Sequence, residues 1–84
     1  MAEATRASIQ ALIEYVAKSL VGDVKSVKVE QSDKEGYIVM ELSVNHDDLG
    51  KVIGKQGRTV KAMRAILSAA SSKLRKRADL EILE

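Results

Sequence analysis

The chain has no cysteine, no proline, no tryptophan and no phenylalanine, and a single histidine. Without cysteine there is no disulfide framework and no thiolate metal site, and a reducing cytosol is the natural setting. Only Tyr15 and Tyr37 are aromatic, so any core must be built from Val, Ile, Leu, Ala and Met. No apolar run approaches the roughly 18 residues of a membrane span. Residues 1–10 lack the charged head and apolar block of a signal peptide, so a cytoplasmic location is expected. There is no internal repeat and no low-complexity segment. Eighty-four residues allow one domain, residues 1–84.

Chemistry that needs a constellation finds none. His46 stands beside Asp47 and Asp48, and a solvated histidine at a helix start is the expectation. A catalytic base needs an oriented partner, and no nucleophile is arranged for it. The two adjacent aspartates point about 100° apart on a helix, so compensation of the helix dipole accounts for them better than paired-carboxylate chemistry. No enzyme activity, metal or cofactor is expected.

What is present is an uneven charge. The net charge is +2. Between Gly50 and Arg77 lie nine bases (Lys51, Lys55, Arg58, Lys61, Arg64, Lys73, Arg75, Lys76, Arg77) and no acid. The rest of the chain holds five bases and all twelve acids, a balance of −7. Such segregation points to a polyanionic partner on one face. A merely solvated helix surface is the alternative.

The hydropathy pattern orders the elements. Thr5 to Val21 reads as an amphipathic helix with a stripe of Ile9, Leu12, Ile13, Val16 and Leu20. Gly22 sits where a C-cap glycine belongs. Val27 and Val29 alternate with Ser26, Lys28 and Glu30 as a strand, and SDKEG at 32–36 is turn chemistry. Ile38, Met40, Leu42 and Val44 alternate as a second strand, so an antiparallel hairpin is expected. Tyr37 and Val39 fall on its other face, which no helix remains to cover. Ordinary exposure is preferred there over a partner-contact strip. Asn45 is a good N-cap for a short helix carrying Leu49, Val52 and Ile53. After a break, Val60, Met63, Ile66, Leu67, Ala70 and Leu74 share a face of a longer helix, with Lys61, Arg64, Ser68 and Ser71 outside it. Ala78, Leu80 and Ile82 alternate as a closing strand, placed parallel to and beside residues 37–44. The class is α+β, in the order αββααβ, with a three-stranded mixed sheet and helices packed on one face.

The break itself, in GKVIGKQGRT, is the informative segment. A nucleotide P-loop requires Gly-x4-Gly-Lys-Ser/Thr after a strand. Here Gly50 and Gly54 are too close, Gln56 replaces the hydroxyl, and a helix precedes. Gly54-x-x-Gly57 also lacks the βαβ context of a dinucleotide site. Gly50 is expected to serve close packing. Two glycines three apart let the backbone turn sharply and a bulky partner come close. Between them stand Lys55 and Gln56, and the second glycine opens a helix whose free N–H groups favour an anion. A phosphate there would meet Lys55, Arg58 and the helix dipole, with Val52 and Ile53 as an apolar wall beside it. Phosphate on one side and a flat apolar group on the other describe a nucleotide strand. The turn with Lys73, Arg75, Lys76 and Arg77 is either solubilising or a second phosphate contact, with the former preferred.

VIGKQG, residues 52–57, resembles the Ile-Gly-x-x-Gly signature of the KH domain, whose Gly-x-x-Gly loop clamps about four single-stranded nucleotides. The element order is similar to the type II KH fold. GKVIGKQGRTVKAMRAIL is similar to the core of the small bacterial single-KH RNA-binding proteins of the KhpA (YlqC) type. The resemblance in length and element order covers essentially the whole chain. It implies that Gly54, Lys55, Gln56 and Gly57 clamp an RNA backbone, that Arg58 and Lys51 add phosphate contacts, and that Val52, Ile53 and Val60 line a base groove opposite the sheet edge of 37–44 and 77–83. It implies a single-stranded RNA partner, and a homodimer or a heterodimer with a larger multidomain KH protein (KhpB, also called Jag or EloR). RNA chaperone activity, post-transcriptional regulation, and a link to cell-wall synthesis and cell shape are implied in the same way. With no Phe or Trp, an aromatic stacking platform is absent, so weak, sequence-tolerant binding is expected. Two alternatives stay open: a module preferring single-stranded DNA, and a protein–protein adaptor with little RNA affinity of its own.

Overall fold

A computed structural model describes residues 2–73 and 75–83, and for residues 2–7 and 34 the backbone alone. The chain runs α1 (Ala2–Leu20), β1 (Lys28–Lys34), β2 (Tyr37–Ser43), α2 (Leu49–Ile53), α3 (Arg58–Ser72) and β3 (Arg77–Leu83). This is the αββααβ order that the periodicity predicts. The sheet order is β1-β2-β3, with β1 antiparallel and β3 parallel to the central strand.

Alternation fixes which face of the sheet is covered. Ile38, Met40 and Leu42 of β2 and Leu80 of β3 are essentially inaccessible, because successive side chains of a strand point to opposite faces. Ile13 and Ala17 of α1, Val52 of α2, and Met63 and Leu67 of α3 complete the aliphatic core from the helical side. The opposite face carries Tyr37, Val39 and Glu41 and has no helix over it among the described residues. Across it, Glu30 pairs in register with Glu41, and Glu41 with Glu81.

Several sequence expectations are corrected. The hairpin turn is two residues, not five: the strands extend to Lys34 and resume at Tyr37. Glu35 (φ 51°) and Gly36 (φ 81°) both take positive φ, which matches the twist of a tight hairpin. Ser32 lies on the solvent-facing side of β1, and Asp33, in register with Ile38, is paired with Lys76 at the strand's end, so both are polar residues within a strand that read as turn chemistry. On α1 the buried stripe is Ile9, Ile13 and Ala17, while Leu12 and Leu20 are exposed. On α3, Ile66 is exposed at 42% and Ser71 is buried at 1%, its Oγ donating to the Ser68 carbonyl. A small side chain lets the helix approach the sheet where a larger one would hold it off. Leu74 lies outside the described residues. Gly22 is not a left-handed cap, and a Cβ on Gly50 would touch nothing outside its own helix, so close packing does not explain that glycine.

β3 is an edge strand, and its open edge is occupied at Leu80. The Arg64 Nε and Nη2 donate to the Leu80 carbonyl at 3.2 and 3.1 Å. The Leu80 N–H donates to Asp79 Oδ1 at 2.8 Å, and that oxygen lies 3.8 Å from Arg64 Nε. Side chains thus satisfy the strand groups that would otherwise template another strand.

Candidate nucleic-acid interface

Residues 45–60 build the site in three steps. Asn45 opens the first, its Oδ1 accepting from the Asp47 N–H at 3.0 Å. Asp48 then anchors α2. The residue is 4% exposed, and its carboxylate accepts from the backbone N–H groups of Gly22 and Asp23, both at 3.1 Å. These two donors, the Gly22 N–H first, hold Asp48 below the ordinary carboxylate value, with Lys51 adding to the effect and burial opposing it. Asp48 is therefore a tertiary anchor, where the sequence suggested dipole compensation. Asp23 is drawn in beside it, accepting from Ser26 Oγ at 2.6 Å and Asn45 Nδ2 at 3.2 Å. The Ser26 hydroxyl, then Asn45, keep its carboxyl lowered as well.

The second step is the bend. Gly54 has φ 78° and ψ 168°, a region that essentially only glycine occupies. A Cβ there would lie 2.2 Å from Thr59 Oγ1 and 2.8 Å from the Thr59 nitrogen. Lys55–Gly57 form a 3-10 turn in which Gln56 takes φ 56° and Gly57 φ 73°. Departures from helical backbone at Gly54, Gln56 and Gly57 let α2 and α3 meet at a corner and push Lys55 and Gln56 outward, where both are exposed.

The third step is the start of α3. The expectation of free N–H groups is corrected at Gly57 and Arg58. The Gly57 N–H donates to the Gly54 carbonyl at 3.0 Å, and the Arg58 N–H to the Lys55 carbonyl. The 3-10 turn uses both donors. Arg58 is exposed, and its Nη2 donates to Gln56 Oε1 at 3.3 Å.

The placements of the sequence-predicted residues divide. Gly54, Lys55, Gln56, Gly57 and Arg58 come together in the bend. Lys51 is 56% exposed in its side chain, but its Nζ sits 3.2 Å from Asp48 Oδ1, directed to the anchor. Val52 is fully enclosed and Val60 is 7% exposed, so these two support the surface from beneath and do not form its wall. Ile53 keeps partial exposure. Among the described residues, Lys55, Arg58 and Lys61 form no ion pair. His46 is exposed. No group of three or more acids or histidines among the described residues is placed to hold a metal, and no described helix is long and apolar enough to cross a membrane.

Sequence reasoning missed Thr59, Asp48 and Arg64 as structural partners. Thr59 follows the motif and carries no periodic signal. Asp48 and Arg64 act through backbone groups distant in sequence.

The sequence model described as KhpA/KhpB, KH domain matches residues 10–82. The protein named RNA-binding protein KhpA from Halalkalibacterium halodurans is 43% identical over 76 residues, covering 90% of this chain and 100% of the relative. Its namesake from Aquifex aeolicus is 46% identical, covering 92% and 98%. That from Clostridium acetobutylicum is 47% identical, covering 86% and 96%. No solved structure matches. The family is non-enzymatic, in line with the expectation from the residues. The match over residues 10–82 and these identities place the chain in the KhpA/KhpB family of KH domains, with the type II αββααβ fold.

Proposed function

We propose that the chain binds single-stranded RNA at the Gly54–Arg58 corner. The observation that carries this reading is the exposed Lys55–Gln56 pair, held out between Gly54, in a conformation closed to other residues, and left-handed Gly57, within a segment free of acids. A backbone phosphate sits against Lys55, Gln56 and Arg58, with Gly54 and Gly57 allowing close approach. Ile53, backed by Val52 and Val60, offers the adjoining base an apolar contact. The names of these relatives, RNA-binding protein KhpA, support RNA as the partner.

Few cations reach the strand, so affinity for one domain is low and salt-sensitive, with a log–log slope of roughly −0.7 per phosphate contact. A second domain then raises occupancy through effective concentration. The partner is a second copy or a larger KhpB-type protein, and the role is that of a cytoplasmic RNA chaperone or post-transcriptional regulator linked to cell-wall and cell-shape control. The family name, which joins KhpA with KhpB, supports such a pairing.

Fluorescence anisotropy with a short labelled oligonucleotide tests the reading. Lys55→Asp with Gln56→Asp abolishes binding while the circular dichroism spectrum stays unchanged. Equal binding by the double variant contradicts the site. Absence of binding by the unaltered chain at low salt favours the adaptor, and tighter binding of the matching DNA favours the DNA module.

A further inference from the structure

At the far end of α3 lies a cleft of about 470 Å³. Ser68 and Ser72 of the helix line it together with Lys76, Arg77 and Asp79 at the start of β3, and Tyr37, from the uncovered face of the sheet, is also among its lining residues. It is separate from the Gly54–Arg58 corner, and the proposed clamp does not use it.

Three observations connect the two places. Gly57, Lys61, Arg64, Ser68 and Ser72 follow one another at spacings of three and four, a single line along the helix. At its midpoint Arg64 holds the Leu80 carbonyl of β3, so the line faces the open edge of the sheet. No acid lies on α3. A polyanion leaving the corner along this line therefore meets Lys61, and Arg64 with the Asp79 carboxylate beside it, before it reaches the serines of the cleft.

The cleft has what a nucleotide needs. Arg77 is exposed and, among the described residues, in no ion pair, whereas Lys76 is held by Asp33 at 2.6 Å. Lys73 and Arg75 stand exposed on the adjoining turn. The Ser72 hydroxyl donates to the Ala69 carbonyl, so its oxygen faces other partners as an acceptor. Tyr37, 41% exposed, offers a flat face for one base. The volume is within the range of small-molecule sites.

We propose that this cleft is a second subsite for the same RNA strand. The phosphate lies on Arg77, the base on Tyr37, and ribose or base donors on Ser72. The proposal rests on the RNA reading above. α3 has 15 residues, about 22 Å at 1.5 Å per residue, so the subsite is reached only by a strand several nucleotides longer than the roughly four that a Gly-x-x-Gly loop clamps.

Anisotropy with RNA of about four and about ten nucleotides tests this, on the unaltered chain and on Arg77→Gln and Tyr37→Ser. The longer RNA binds about tenfold tighter or better to the unaltered chain. Each variant loses about fivefold or more of its affinity for the longer RNA and keeps that for the shorter. Tyr37→Ser changes no charge, so its effect separates the cleft from general electrostatics. Equal affinity for both lengths, or variants that bind the longer RNA normally, overturns the subsite and leaves the corner standing. Binding of neither length by the unaltered chain overturns both.

Discussion

Gly54 and Thr59 are packed so closely that a single added carbon on Gly54 would fall 2.2 Å from the threonine Oγ1. The contact closes the corner between α2 and α3. It acts together with a backbone conformation (φ 78°, ψ 168°) that side chains avoid. Gly54→Ala is therefore expected to lower stability by roughly 1–3 kcal/mol and to displace the corner. Gly57→Ala, at φ 73° with nothing nearer than 3.8 Å, is expected to cost only about 1–2 kcal/mol. Urea denaturation of the two variants checks the order, and a larger loss at Gly57 contradicts it.

Asp48 joins the turn after α1 to the start of α2, so it governs how the corner is mounted. Its carboxyl is lowered in the folded chain from an ordinary 3.8. A lowered folded-state value means the stability it contributes is present above the unfolded value and is lost as pH falls through the folded one. Asp48→Asn should lower the urea midpoint at pH 7. The gap from the unaltered chain should close progressively below about pH 4. A gap independent of pH contradicts the role assigned to the charge.

The row Glu30–Glu41–Glu81 places like charges directly opposite one another on the uncovered face of the sheet. Such pairs destabilise. Glu41→Gln, at the centre of the row, should raise stability by about 0.2–1 kcal/mol, with a smaller gain in high salt. A urea series at two salt concentrations measures this, and a loss of stability at low salt would contradict it.

Arg64 both ties α3 to β3 and covers the strand's open edge. Arg64→Met removes the donors and leaves the Leu80 carbonyl to water or to another strand. The expected result is a loss of roughly 1 kcal/mol and a greater tendency to self-associate, read by denaturation and sedimentation velocity. Unchanged values in both would show that the tie is idle.

Much of this fold is legible in the sequence because strands have a period of exactly two. Ile38, Met40 and Leu42, and then Ala78, Leu80 and Ile82, admit one assignment of faces, and the parallel placement of β3 follows from the crossover. The corner is legible because two glycines three apart in an otherwise apolar-periodic run need an explanation. Helix rotation is harder to read. Leu12 and Ile66 lie at the margins of their stripes, where hydrophobicity says inside and neighbours decide otherwise. Ala17 and Ser71 are buried because they are small. Asp48 illustrates a second limit: its partners are 25 and 26 residues away, while a linear reading offers only the local helix dipole. The hairpin shows a third, since polar residues at the end of a strand, Ser32 and Asp33, look like a turn.

The most direct test of the central claim is a backbone amide NMR titration with a short single-stranded RNA. The account predicts the largest shifts at Gly54 to Arg58, with Lys61 following and the outer sheet residues Glu30 and Glu41 unmoved. Shifts centred on that outer face, with the corner silent, would contradict it.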